Sequence, residues 1–158
     1  MKVLHISNVD LPDVRVEKEA ITLKNMGFKV FFAGRNIKGF SFDYNPFERC
    51  YTLPFTGKSN VGIRPWWWKL KKALLKVIKE CKPDIIHAHN IVAAKLALET
   101  KLPVIYDDHE YWSKSMKYMS IDKWRINFKK LCCWLIWKSW EQEVLEKARA
   151  IVTVSNEI

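Results

Sequence analysis

Two stretches of the chain carry the side chains best suited to chemistry. The first is Asp84-Ile85-Ile86-His87-Ala88-His89-Asn90 and the second is Pro103-Val104-Ile105-Tyr106-Asp107-Asp108-His109-Glu110. In each, a short apolar run stops at a histidine-bearing polar cluster. His109 lies between two carboxylates, with Tyr106, Tyr111 and Trp112 close by in sequence. Such a setting shifts a pKa and orients a ring, which makes His109 the leading functional candidate. His89 stands at a strand end, where a structural and a ligand-binding role are both open. His5 and His87 lie inside apolar runs and read as core histidines whose ring nitrogens find partners. Asp107 reads as a strand-end hydrogen-bonding residue.

The elements that must position these residues follow from the apolar pattern. Short apolar runs alternate with helical stretches, the signature of parallel strands joined by crossovers. Strands are expected at Val3 to Ile6, Phe28 to Ala33, Arg49 to Leu53, Asp84 to His89, Val104 to Asp107 and Ala150 to Val154. A helix carrying Val14, Ala20, Ile21, Leu23 and Met26 follows the first strand, and Gly27 is placed to end it in a left-handed cap. Further helices are expected over Trp66 to Cys81, Val92 to Thr100 and Asp122 to Ala148, the last with Asp122 as N-cap. The fold class is therefore α/β: a Rossmann-like, doubly wound, mainly parallel sheet of about six strands with helices on both faces. In such sheets ligands bind at the carboxyl ends of the strands. With the first and fourth strands side by side, Asn8, Asp10 and His89 border one crevice, and His109 lies one strand over. Ser155, Asn156 and Glu157 follow the last strand to the same edge.

The chain has 158 residues, one domain's worth, and its 49% hydrophobic and 13% aromatic content excludes disorder. Its formal net charge of +10 points either to an anionic partner or to a lysine-rich solvated surface. Cys50, Cys81, Cys132 and Cys133 show no C-x-x-C spacing, so reduced thiols in a cytoplasmic protein are expected. The start of the chain passes straight into polar residues, unlike a signal peptide. The densest apolar run, Leu131 to Trp137, falls short of the about 20 residues that span a bilayer. The expectation is a soluble protein, or one held peripherally on the inner face of the membrane.

Arg15 opens the first helix, where it either holds a phosphate bidentately or pairs with Glu19. The first loop has neither G-x-G-x-x-G nor a P-loop, which disfavours a nicotinamide dinucleotide site and a nucleoside triphosphatase. In the helix from Trp66, the stripe Trp67, Leu70, Leu74, Val77 and Ile78 is core. Lys69, Lys71, Lys72, Lys76 and Lys79 fill much of the remainder, and the three consecutive tryptophans cannot all point inward. Exposed Trp beside Lys is the composition of a lipid-surface helix, and a solvated basic face is the simpler alternative. Trp124, Trp134, Trp137 and Trp140 exceed what one face of the last helix buries, so a partner or a membrane is expected there.

In order along the chain, five segments resemble the N-terminal domain of family-4-type glycosyltransferases of the GT-B fold. They are Met1-Lys2-Val3-Leu4-His5-Ile6-Ser7, Asp13-Val14-Arg15-Val16-Glu17-Lys18-Glu19-Ala20, Pro83-Asp84-Ile85-Ile86-His87-Ala88-His89, Tyr106-Asp107-Asp108-His109-Glu110 and Ala148-Arg149-Ala150-Ile151-Val152-Thr153-Val154-Ser155. Each alone is weak; the ordered set is specific. The resemblance implies two Rossmann-like domains facing a cleft, an N-terminal one that chiefly binds acceptor and a C-terminal one that binds a nucleotide-sugar donor, with no metal and no cofactor. It implies His109 near the transferred sugar or donor phosphate, as the catalytic residue. Asp10, Arg15, His89, Asn90, Asp108 and Glu110 are the substrate-binding candidates. Two departures stand out. Val9-Asp10-Leu11-Pro12 occupies the place where many relatives have a Gly-Gly pair. The C-terminal domain, its Glu-x7-Glu motif and the helix after the sixth strand have no counterpart before Ile158.

The leading expectation is thus residues 1–158 as the acceptor-side half of a glycosyltransferase, inactive alone, whose full form moves a sugar from a nucleotide-sugar donor to a lipid-linked or polysaccharide acceptor in cell-envelope or polysaccharide biosynthesis. The alternative is a non-catalytic basic module that binds an anionic membrane surface or a glycan. Nucleic acid is not an expected partner, because no recognised motif is present and the aromatic residues track helix faces, not a stacking platform.

Overall fold

A computed structural model describes residues 1–55, 64–108, 121–122, 125–126 and 128–153. Along the chain lie β1 (Lys2–Ser7), α1 (Val14–Asn25), β2 (Lys29–Gly34), β3 (Arg49–Thr52), α2 (Arg64–Cys81), β4 (Ile85–His89), α3 (Ile91–Leu98), β5 (Val104–Asp108), β6 (Ile121–Asp122), β7 (Arg125–Ile126), α4 (Phe128–Lys147) and β8 (Ala150–Thr153). Six strands form one sheet in the order β3-β2-β1-β4-β5-β8, and every neighbouring pair is parallel. The winding runs outward from β1 through β2 to β3, then returns to the other side of β1 for β4, β5 and β8. This is the expected Rossmann-like α/β sheet, with its switch point between β1 and β4.

Alternation along each strand divides the side chains between two faces. On one face Leu4, Ile6, Ile86, Ala88, Val104 and Tyr106 form the larger core with Leu70 and Leu74 of α2, Ile91 and Leu96 of α3, and Trp137 and Val144 of α4. On the other, Val16 and Ala20 of α1 pack against Val30, Phe32 and Phe47. Helix α3 is apolar nearly all round, with Ile91, Val92, Ala93, Ala94, Leu96 and Ala97 buried, because it lies between the sheet and α4.

Local chemistry sets the element ends. Asp13 caps α1, its carboxylate accepting from the Arg15 and Val16 amides. Gly27, at φ +84°, ends the helix. The Gly27 amide donates to the Lys24 carbonyl and the Phe28 amide to the Leu23 carbonyl, a Schellman closure that needs the left-handed conformation glycine adopts freely.

One expected element is corrected. Asp122 does not cap the last helix: Ile121 pairs with Ile126 and Asp122 with Arg125 in a short antiparallel ladder, and the helix begins at Phe128. A two-residue connection is hairpin length, and Asp favours turns as strongly as N-caps, so the tertiary setting decided between them. The tryptophans are also resolved. Trp66 and Trp67 pack partly buried, donating to the Pro54 carbonyl at 3.0 Å and to Glu99 at 2.9 Å, whereas Trp68 is 65% exposed. On α4, Trp137 is buried, and Trp134 and Trp140 pack partly buried against the core. Trp124 lies outside the described residues. No helix among the described residues is long and apolar enough to cross a membrane.

Leu70 is fully buried, and Leu75 on the same helix is 39% exposed. Leu70→Ala is expected to cost about 2–5 kcal/mol of unfolding free energy through lost transfer energy and a cavity. Leu75→Ala should stay within about 0.5 kcal/mol, as a surface change does. Urea melts of both variants check the facing of α2.

Candidate functional site

The carboxyl edge of the sheet gathers the loop after β1, the β4–α3 junction and the end of β5. Asn90 joins the two loops that flank the switch point, its side-chain amide donating to Asn8 Oδ1 at 3.0 Å. It does so from an unusual backbone conformation, φ 73° and ψ 154°, which costs a residue with a Cβ free energy on the order of 1–3 kcal/mol. Asn90 also begins α3 with no side-chain cap bond, so its polar group is committed across the crevice.

The first loop is tied to the loop after β2. The Leu11 amide donates to the Asn36 carbonyl, the Lys38 amide to the Leu11 carbonyl, and the Val9 amide to Ser7 Oγ. Asp10 completes the tie: Oδ1 accepts from Arg35 Nε at 2.6 Å and Asn36 Nδ2 at 3.0 Å, and Oδ2 meets Lys38 Nζ at 2.8 Å. The Asp10 carboxylate therefore serves a loop–loop clamp. The Arg35 guanidinium first, then Lys38, holds its pKa well below the usual carboxylate range. Because the Leu11 and Val9 amides are engaged inside the protein, this loop does not present them to a ligand as a Gly-Gly turn would.

Arg15 is exposed in the first turn of α1, and its charge acts on the Glu19 carboxylate one turn along. Glu17, between them, is fully buried and was not singled out by sequence. Its carboxylate accepts from the Asp13 amide at 2.9 Å and from the Ser41 amide and hydroxyl at 2.7 and 2.8 Å.

His89 is only 1% exposed, so it does not line the open crevice. Parallel register sets Ser7, His89 and Asp107 in one row and His5 beside His87 in the next. Period two along β4 keeps His87 and His89 on the α1 face. The three rings pack with centroids 4.7–5.2 Å apart, His5 and His89 stacked and His87 tilted against both. His89 Nδ1 lies 3.0 Å from Asp107 Oδ2, and His89 Nε2 lies 2.9 Å from His5 Nδ1. Glu19 reaches down from α1, with Oε2 3.5 Å from His87 Nδ1 and 3.9 Å from His89 Nε2.

Asp107 thus has the strand-end hydrogen-bonding role expected of it. His5 and His87 are buried, as expected of core histidines, but only partly satisfied: among the described residues Nε2 of each has no hydrogen-bond partner, nor does Glu19 Oε2. An unpaired buried polar atom costs about 1–3 kcal/mol. The helical face that delivers Glu19 and the β1–β4 register are long-range facts; the only local signal was the spacing of two between His87 and His89. Burial, and then the neighbouring imidazoles, hold the His5 pKa well below its ordinary value, and burial pushes that of His87 down to about 4. Burial, followed by the Asp107 charge, pushes the Glu19 carboxyl up to about 8.

Asp108 faces the opposite side, 2% exposed, and accepts from the Tyr106 hydroxyl at 2.8 Å. Burial first, then Asp108, raises the Tyr106 pKa. His109 and Glu110 lie outside the described residues, as do Ser155, Asn156 and Glu157. The structure thus brings together Asn8 with Asn90 and His89 with Asp107, and separates both pairs from Asp10 and Asp108.

The sequence profile of "Glycosyltransferase Family 4" matches residues 14–158. The chain belongs to glycosyltransferase family 4. No curated protein matches it in sequence. Among solved structures, sucrose-phosphate synthase from Thermosynechococcus elongatus superimposes with a TM-score of 0.66 over 96% of this chain and 41% of its own, at 15% identity. UDP-GlcNAc 2-epimerase from Methanocaldococcus jannaschii does so with a TM-score of 0.51 over 99% of this chain and 46% of its own, at 14% identity. These likenesses establish a shared fold, and the family-4 chain spans less than half the length of either structure. The resemblance therefore identified the family correctly, the match spanning all of its segments except the first, Met1 to Ser7, and Asp13.

The Asp10 clamp gives a pH prediction. A depressed carboxylate pKa contributes stability that is present above the unfolded-state value, near 4, and is lost as pH falls through the folded-state value. The stability gap between wild type and Asp10→Asn should be constant from neutrality down to about pH 4 and shrink only in stronger acid. Urea midpoints measured across that range check it.

Proposed function

We propose that residues 1–158 are the acceptor-side, N-terminal domain of a glycosyltransferase that moves a sugar from a nucleotide-sugar donor to a lipid-linked or polysaccharide acceptor. The observation that carries this reading is the family-4 match over residues 14–158, on a sheet whose switch point between β1 and β4 is bordered by Asn8 and Asn90. The name of one matched structure, UDP-GlcNAc 2-epimerase, contains a nucleotide sugar, which agrees with a donor of that class.

In the transfer, an acceptor hydroxyl oxygen bonds the anomeric carbon while the bond from that carbon to the donor phosphate breaks. Positive charge grows on the sugar and negative charge on the departing nucleotide diphosphate. A site for this needs a cation or N–H groups at the phosphate and a hydrogen-bonding group at the sugar. Arg15, exposed in the first turn of α1, suits the first task, helped by the helix dipole. His109, with Glu110 beside it in sequence, suits the second, and Asn90 and Asn8 suit an acceptor's hydroxyls. With the Val9 and Leu11 amides already engaged, donor phosphate contact falls more heavily on side chains and on a second domain. In this reading His89 and Asp108 support the crevice from within, and Asp10 holds its first loop.

A second reading, a basic module on an anionic membrane or glycan, is favoured by one observation. Trp68 is 65% exposed, with Lys72 5.2 Å from its ring centroid, on the helix that also carries Lys69, Lys71, Lys76 and Lys79. The two readings are compatible for an enzyme with a lipid-linked acceptor.

In the full-length protein, His109→Ala should lower kcat by about 100- to 1,000-fold, as removal of one transition-state-stabilising donor does. Residues 1–158 alone should release no nucleotide diphosphate from a panel of nucleotide sugars. Turnover by the short chain would overturn the split-site assignment. Co-sedimentation with vesicles containing phosphatidylserine should fall on Trp68→Ser and with rising salt; a protein indifferent to both has no membrane role for this face.

A further inference from the structure

We propose that His5, His87, His89 and Glu19 form a four-ligand site for a divalent transition-metal ion of the zinc class, which ties α1 to the centre of the sheet. The inference rests on the geometry of the cluster and is independent of the transferase reading.

Each of the four residues offers one ligand atom, and these atoms all lie within 4.8 Å of one another. Zinc binds nitrogen and oxygen at about 2.0–2.2 Å, which places neighbouring tetrahedral ligands about 3.3 Å apart. The separations here are 2.9 Å between His5 Nδ1 and His89 Nε2, 3.5 Å between His87 Nδ1 and Glu19 Oε2, and 3.9 Å between His89 Nε2 and Glu19 Oε2. These three bracket that value and all six pairs lie within 4.8 Å, so side-chain movements on the order of an ångström complete the coordination sphere. Three imidazoles and one carboxylate suit zinc and its neighbours in the first transition row, not magnesium or calcium, which take oxygen.

Two further features belong to metal sites. Asp107 lies behind His89, 3.0 Å from Nδ1, the carboxylate–histidine arrangement that orients a ligating ring. Glu19 Oε2 is buried, faces the histidines and has no hydrogen-bond partner among the described residues, although the carboxyl also meets Asp107. Glu19 and His87 also line a cleft of about 390 Å³ on the α1 face, a path for an ion to enter. Three ligands are fixed by strand register and the fourth comes from a helix. A bound ion would therefore cross-link two layers, as a closed structural site does.

The test uses the purified full chain stripped with EDTA and titrated with Zn²⁺ against a chromophoric chelator at neutral pH. The expected result is one equivalent bound, a higher Tm with metal than with EDTA, and an affinity lowered by about 10- to 100-fold in Asp107→Asn. His87→Ala and Glu19→Gln should each weaken binding further. Circular dichroism verifies that both remain folded. Co²⁺ added to the wild-type protein gives a readout that does not depend on any variant folding. Intense visible ligand-field bands without a thiolate charge-transfer band support a tetrahedral nitrogen and oxygen site. No bound equivalent, binding unaffected by both ligand substitutions, or a thiolate band showing that cysteines hold the ion would overturn the proposal.

Discussion

The parallel pairing of β1 with β4 is the constraint on which the other features depend. It aligns Leu4 with Ile86 and Ile6 with Ala88 on one face, and His5 with His87 and Ser7 with His89 on the other. The first set builds the core against α2, α3 and α4. The second creates a polar patch under α1. The same pairing places the switch point, because the chain leaves β1 toward β2 and returns on its opposite side. A slip of one residue would exchange the two sets, putting histidines into the larger core and aliphatic side chains under Glu19. Register and hydrophobic burial thus enforce each other, and the location of the crevice follows from both.

The two faces are stabilised differently. One is a continuous apolar layer with two depths of helix above it, α3 lying beneath α4. The other is apolar under the amino-terminal part of the strands and ionisable toward their carboxyl ends. Glu17 shows how buried charge is tolerated there: its carboxylate accepts three hydrogen bonds from Asp13 and Ser41, joining the start of α1 to the segment after β2. The imidazole patch beside it has fewer internal partners than polar atoms.

The sheet was legible in the sequence because its four inner strands are largely buried and read as short apolar runs, from Val3 to Ile6 through Val104 to Asp107. Gly27 was legible because a helix end has few chemical solutions. Asp122 misled, since a single acidic residue serves a hairpin and an N-cap equally well. The carboxyl edge of the sheet was legible, and so was the gathering of Asn8 and Asn90 at the switch point, which local position determines. What could not be read was the depth of each residue. His89 and Asp108 are adjacent to the edge in sequence but turn inward to opposite faces, and Asp10 turns sideways to Arg35 and Lys38. Those outcomes are set by side chains tens of residues away. His5, His87 and Glu19 come together only after three elements are assembled, so each in isolation resembled an ordinary core or surface residue.

Asn90 has an evolutionary consequence. Glycine would adopt φ 73° and ψ 154° without penalty, so one substitution could relax the backbone there. It would also delete the amide that spans to Asn8 and leave Asn8 Oδ1 without that donor. A lineage selected only for thermal robustness would drift toward glycine at this junction, and one selected for a defined mouth to the crevice would retain asparagine. Position 90 is therefore where backbone relaxation and the bond to Asn8 compete, and its identity across descendants would record which of the two selection favoured.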